Sequence, residues 1–174
     1  MTNPEVTDIY NYIRVDERLA TSGQPSVDEL TAVARDGVEV VINLALHDDP
    51  RYSLPDETGT VTSLGMTYAH IPVKFESPTE RDLLAFFAAM DAHQDKKMLV
   101  HCAANKRVTA FLGLYRAIRQ NWDVERAFAP MKRIWEPNEN WSPFISAMLA
   151  KALELRADGV NAAFRADAYR ESPR

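Results

Sequence analysis

Met98-Leu99-Val100-His101-Cys102-Ala103-Ala104-Asn105-Lys106-Arg107-Val108-Thr109 is the stretch from which the fold is read. Lys97 to His101 is a short apolar run of strand length, and from about Arg107 the apolar residues return at helical spacing. Val108, Phe111, Leu112, Tyr115 and Ile118 share one helical face, and Arg116, Arg119 and Gln120 are expected away from it. A buried strand, a tight loop and a helix start therefore follow one another, with a thiol, an ammonium and a guanidinium in the loop. Free N–H groups of a helix's first turn, together with its dipole, favour an anion at such a turn. The same field favours thiolate over thiol, and the thiolate is the competent nucleophile. Lys106 and Arg107 add positive charge, and arginine adds bidentate recognition of tetrahedral oxyanions. Thr109 stands where its hydroxyl can reach the sulfur.

Upstream, strands alternate with helices. Ile13 to Val15 and Leu19 to Thr21 read as short strands, followed by the loop Ser22-Gly23-Gln24-Pro25. Ser26 and Glu29 form a capping box for a helix with Leu30, Val33 and Ala34 on its apolar face, and Gly37 fits its left-handed end. Val38 to Leu44 is β-branched and apolar enough for a strand covered on both faces, as in a parallel sheet. A short helix within Leu54 to Leu64 closes at Gly65, and Met66 to Val73 reads as a strand. Ser77-Pro78-Thr79-Glu80 then supplies a cap, a proline at the first helical position and a glutamate at the third, which explains Glu80 by capping. Leu83, Phe86, Phe87 and Met90 stripe the helix that follows, to roughly His93. Two more helices open at Asp123 and at Ser142-Pro143. The expected fold is α/β, with a central, mostly parallel sheet of four to five strands and helices on both faces. Ligands in such sheets bind beyond the strands' C-terminal ends, where His101 and Cys102 fall.

A chain of 174 residues fits a single domain, residues 1–174, whose end, 158–174, reads as a partly ordered tail. No apolar run is long enough to span a bilayer, and the polar, acidic start lacks a signal peptide's pattern, so a cytoplasmic protein is expected. One cysteine cannot pair internally, in keeping with a reducing compartment. A net charge of −5 argues against nucleic acid as a partner, so any phosphate must be bound locally. His47-Asp48-Asp49 has no second cluster at ligand spacing, so neither metal nor other cofactor is expected. Oligomeric state is left open.

The loop resembles that of the cysteine-dependent protein phosphatases, tyrosine and dual-specificity, whose signature is H-C-x5-R followed by Ser or Thr. His101, Cys102 and Thr109 fall on that signature. Arg107 comes one residue early, Val108 stands at the signature's arginine, and the loop has no glycine. Asn105, among the few non-glycine residues that tolerate a left-handed backbone, takes that place. Arg18 to Pro25, the helix after it and Val40 to Leu44 are similar to the opening of a bacterial phosphatase-like family akin to fungal and plant atypical dual-specificity phosphatases. The resemblance covers roughly Arg14 to Leu155 and implies a phosphatase II-like fold and a phosphorylated substrate or other small oxyanion. It implies a Cys102 nucleophile, a phosphate cradle from Ala103 through Val108, and His101 as the residue orienting the loop. It also implies a general acid on a loop beyond a strand end, for which Glu76 is the best-placed carboxylate, Glu80 or Asp82 come next, and Asp48 and Asp49, following the strand Val38 to Leu44, could serve instead. The polar segment between Trp135 and Trp141 is similar to the family's downstream loops that position water.

Cys-x4-Arg is also the spacing of the shorter rhodanese loop, in which the cysteine carries a persulfide, so a sulfurtransferase stands beside the phosphatase. A non-catalytic phosphate- or phosphoprotein-binding module fits a loop with a displaced arginine. A lone cysteine at a strand end is otherwise a small buried hydrophobe.

Overall fold

The computed structural model describes residues 2–157; the expected tail over 158–174 lies outside them. Five strands form one sheet in the order β1-β2-β5-β3-β4: β1 (Ile13–Arg14), β2 (Leu19–Ser22), β3 (Val40–Asn43), β4 (Thr67–His70) and β5 (Met98–His101). Only the β1–β2 pair is antiparallel; β2–β5, β5–β3 and β3–β4 are parallel. The crossovers are α1 (Val27–Arg35), α2 (Glu57–Ser63) and α3 (Glu80–Ala92). After β5 come α4 (Lys106–Leu114), a π-helical turn over Tyr115–Arg119, α5 (Val124–Ala127), α6 (Ala129–Ile134) and α7 (Trp141–Ala157).

Alternation along the strands builds two cores. On β3 and β5, Val41 and Leu99 face α1 and α2, packing with Leu30, Val33 and Val61. Val40, Ile42, Met98 and Val100 face the other way, onto Phe86 and Phe87 of α3 and Phe111 of α4. Helices cover both faces, which is why the central strands read as unbroken apolar runs. Fully burying each such aromatic or aliphatic side chain contributes roughly 1.5–3 kcal/mol. No helix among the described residues is long and apolar enough to cross a membrane.

Local chemistry sets most boundaries. Ser26 and Glu29 form the reciprocal capping box of α1, and Gly37 (φ 87°) and Gly65 (φ 82°) occupy left-handed positions after α1 and α2. The start of α3 differs from the sequence reading. Thr79, not Ser77, is the N-cap, its hydroxyl accepting from the Asp82 amide, because Ser77 is drawn into a turn by its own N–H bond to the Lys74 carbonyl. Glu80 is thus the first helical residue and pairs with Lys151 at 2.5 Å. α7, by contrast, opens earlier than Ser142-Pro143, at Trp141, with Asn138 Oδ1 accepting from the Asn140 and Trp141 amides. Arg116, expected away from the apolar face, is buried in the π-helical turn that continues α4.

Candidate active site

β5 ends at His101, flanked in register by Ser22 of β2 and Asn43 of β3, so the Cys102 loop leaves the middle of the sheet's C-terminal edge. Neighbouring backbone fastens the loop down. The Cys102 amide donates to the Ser22 carbonyl at 3.3 Å, and the Gln24 amide to that of Ala103 at 3.1 Å. Gly23 makes this approach possible: a Cβ there would lie 2.7 Å from the Ala103 carbonyl oxygen and 3.0 Å from that of Tyr10. From the far end of the chain, Asn11 Nδ2 donates to the Ala104 carbonyl at 3.1 Å, and Asn105 Nδ2 returns a 2.8 Å bond to the Asn11 carbonyl.

Asn105 caps α4 with φ 64°, in the left-handed conformation the glycine-free loop requires, and its second bond, to Thr21 Oγ1, fixes the amide. The Ala103 and Ala104 amides have no protein acceptor among the described residues, and the first-turn amides of α4 are orphans by construction. The loop thus retains free donors for an anion.

Arg107 folds inward and is 8% exposed. Its Nη1 donates to the Val73 carbonyl at 2.8 Å, and its remaining N–H groups have no protein acceptor among the described residues. It lines a cavity of about 450 Å³ together with Ala103, Asp48, Asp49, Glu76, Tyr52 and Phe75. Arg107, Asp48 and Glu76, chosen from three separate stretches of sequence, therefore meet in one place. Asp49 is already engaged by Arg51 at 2.7 Å, whereas Asp48 and Glu76 are exposed and have no ion pair among the described residues.

Cys102 itself is 1% exposed and packs with the apolar core rather than lining that cavity. Other expectations for the loop change. Thr109 does not address the sulfur: its hydroxyl lies 2.8 Å from the Asn105 carbonyl, a bond back along its own helix, and accepts from Trp135 Nε1 at 3.3 Å. The Lys106 ammonium sits 6.0 Å and 5.8 Å from the ring centres of Phe75 and Trp135, held by cation–π attraction rather than beside the thiol. The Val108 side chain is wholly buried in the core, so only its backbone can serve the loop. Trp141 is core as well, its Nε1 donating to the Phe75 carbonyl at 2.8 Å, and the Trp135–Trp141 segment does not line the cavity.

His101 is bonded to a residue the sequence reading missed. Glu57, the first residue of α2, is 1% exposed. Its Oε2 accepts from His101 Nε2 at 3.1 Å, Asn43 Nδ2 at 2.9 Å and the Tyr68 hydroxyl at 2.7 Å, and its Oε1 accepts from Gln24 Nε2 at 2.6 Å. Burial opposes ionisation, but the bond and charge of His101, with the bonds from Gln24 and Tyr68, outweigh it and hold the Glu57 carboxyl at about 2. An ionised carboxylate only accepts, so His101 Nε2 is a donor. Burial and then Glu57 push the Tyr68 phenol upward, so it stays a donor too. The carboxylate ties β3, β4, the Ser22–Pro25 loop and the residue before Cys102 into one unit. The only cue in sequence was that α2, with a glycine and threonines, is a poor helix on propensity, so something beyond propensity had to hold it.

Residues 5–141 match the family model described as DSP-PTPase phosphatase fused to NAD+ kinase. The chain is similar to the beta-lactamase hydrolase-like protein of Xylella fastidiosa (strain Temecula1), 35% identical over 108 residues, which are 61% of this chain and 25% of that protein. The chain thus spans about a quarter of the length of the curated relatives it matches. Among solved structures, the DUF442 phosphatase candidate of Shewanella putrefaciens CN-32 is 34% identical with a TM-score of 0.75, over 84% of this chain and 96% of that one. P. aeruginosa TpbA in complex with pTyr, at 19% identity and a TM-score of 0.65 over 95% of each chain, shares the fold. The chain therefore belongs to the DSP-PTPase phosphatase family so described, within the superfamily of cysteine-dependent tyrosine and dual-specificity phosphatases.

Proposed function

We propose that the protein hydrolyses a phosphomonoester through a cysteinyl-phosphate intermediate. The observation that carries this reading is the inward Arg107, whose unpaired N–H groups open onto a cavity that adjoins Ala103 and carries free carboxylates on its rim. Arg107 and the free loop amides hold the phosphoryl oxygens. The Cys102 sulfur attacks phosphorus in line, the P–O bond to the leaving group breaks, and that oxygen takes a proton from a rim carboxyl. Water, giving a proton to that same carboxylate, then attacks phosphorus, the P–S bond breaks with the electron pair returning to sulfur, and inorganic phosphate leaves. Asp48 and Glu76 are the two candidates for the acid, being the unpaired carboxylates of that rim. Aromatic walls from Tyr52 and Phe75 suit an aryl leaving group, phosphotyrosine or similar. The burial of Cys102 requires substrate to enter over the loop, past Ala103.

The test is hydrolysis of p-nitrophenyl phosphate and of a phosphotyrosine peptide by wild type, Cys102→Ser, Asp48→Asn and Glu76→Gln. Activity lost in Cys102→Ser, and lowered in one carboxamide variant chiefly with a poor leaving group, supports the mechanism; equal activity in wild type and Cys102→Ser refutes it.

A sulfurtransferase reading has its own support in the four residues between Cys102 and Arg107, one fewer than the phosphatase signature, and in the enclosed sulfur. Thiosulfate would then transfer its outer sulfur to Cys102 and leave as sulfite, and a mass gain of one sulfur atom on the protein, absent in Cys102→Ser, with no phosphate release, would select it.

A further inference from the structure

At the opposite end of the strands from Cys102, two cavities of about 400 and 500 Å³ share a wall made of Asp16, Arg116 and Trp122. Arg116 is 7% exposed and makes no side-chain hydrogen bond among the described residues. Its one ion-pair partner among the described residues is Asp16, 3.6 Å away, whose side chain is 54% exposed and whose other oxygen already accepts from the Arg18 and Leu19 amides. A guanidinium carries five N–H donors, and at Arg116 the single ion pair to Asp16 leaves most of them to the two cavities it lines.

The surroundings deepen the imbalance. Arg116 and Arg126 lie 4.2 Å and 4.3 Å from the centre of the Trp122 ring. Cation–π attraction to this one ring holds the two guanidiniums in the same place. Arg126 and Arg133 complete the larger cavity and Arg18 the smaller; none of the three has a carboxylate partner among the described residues. Arg14 and Lys96, also lining, are paired with Asp36 at 3.1 Å and Glu39 at 3.9 Å. In a chain of net charge −5, this is a concentrated positive region with one carboxylate facing it. Burial, and then the Arg126 charge, hold the Arg116 pKa below its ordinary value against the pull of Asp16.

We propose that Arg116 and Arg126, held by Trp122, form a second anion site for a small phosphate-bearing molecule or polycarboxylate, at the end of the sheet remote from the Cys102 loop. The cavities have the size of small-molecule sites, and arginine forks match both kinds of oxyanion. The site is independent of the phosphatase reading and stands whatever the loop does.

The experiment is calorimetric titration of the full chain at low salt with pyrophosphate and, separately, with citrate, which distinguish the two ligand types by which binds more tightly. Arg107→Gln, altered only at the Cys102 loop, is expected to retain the site. Arg116→Gln should weaken it about tenfold or more, and Arg126→Gln about threefold, with affinity falling as salt screens the charges. Should Arg116→Gln fail to fold, Arg126→Gln, at an exposed position, decides alone. Affinity unchanged in the folded variants, binding abolished only by Arg107→Gln, or no binding of either probe would overturn the proposal.

Discussion

Glu57→Gln is nearly isosteric and removes a charge that four donors share, so its cost can be worked from the geometry. The side-chain oxygen can stay toward Asn43, Tyr68 and His101 while the new amide faces Gln24. Gln24 would then turn over to present Oε1, a buried atom that has no partner in the wild-type protein, and would give up its 3.0 Å bond to the Pro25 carbonyl. Three charge-assisted bonds become neutral ones at about 1 kcal/mol each, or about 3 kcal/mol in all. Linkage gives the same size: a carboxyl moved from its ordinary 4.5 to about 2 on folding contributes on the order of 3 kcal/mol at neutral pH. For a domain of this size the melting temperature should fall by roughly 6–12 °C. The sign follows from the lowered value: this stability is fully present above pH 4.5 and is lost as pH falls through about 2. Thermal unfolding followed by circular dichroism at pH 7 should show the full gap, and a series from pH 5 to pH 2 should show it closing. Equal melting temperatures at pH 7, or a gap unchanged at the acid end, would refute the account of Glu57 as a shared anion.

Asn105→Gly keeps the left-handed backbone but loses two side-chain bonds, while Asn105→Ala loses both and adds strain; urea unfolding should find the alanine variant less stable by about 1 kcal/mol. Gly23→Ala should push the Ala103 carbonyl away at a cost of about 1–3 kcal/mol, and activity should fall further than stability alone explains, measured as kcat at a temperature where both proteins remain folded. Arg107→Lys keeps a charge but loses the fork, so kcat/KM for an aryl phosphate should drop by about a hundredfold or more with the melting temperature little changed; unaltered kcat/KM would remove Arg107 from the mechanism.

What the sequence disclosed was local. The strand before Cys102, the capping box at Ser26, the left-handed turn at Gly37 and the left-handed Asn105 each follow from neighbouring residues and their backbone preferences. The inward turn of Arg107 and its meeting with Asp48 and Glu76 rested on where strand ends gather in a parallel sheet. Glu57 was hidden because its partners come from Gln24, Asn43, Tyr68 and His101, and only the crossover geometry brings them together. Thr109 and Lys106 were misplaced for a related reason. A hydroxyl one turn into a helix has its own backbone carbonyl closer than any sulfur, and the rings that hold Lys106 come from remote segments. The cap at Thr79 rather than Ser77 was a choice between two adequate hydroxyls, decided by a turn at Lys74.

The position of β5 between β2 and β3 bears on how the chain is made. Until Met98–His101 leaves the ribosome, β2 and β3 have no strand to join them, and each presents a bare rim of amide and carbonyl groups. Nascent chains halted before Met98 should therefore be sticky and prone to clump, and insertion of this last central strand closes the sheet and delivers the cysteine turn in a single stroke.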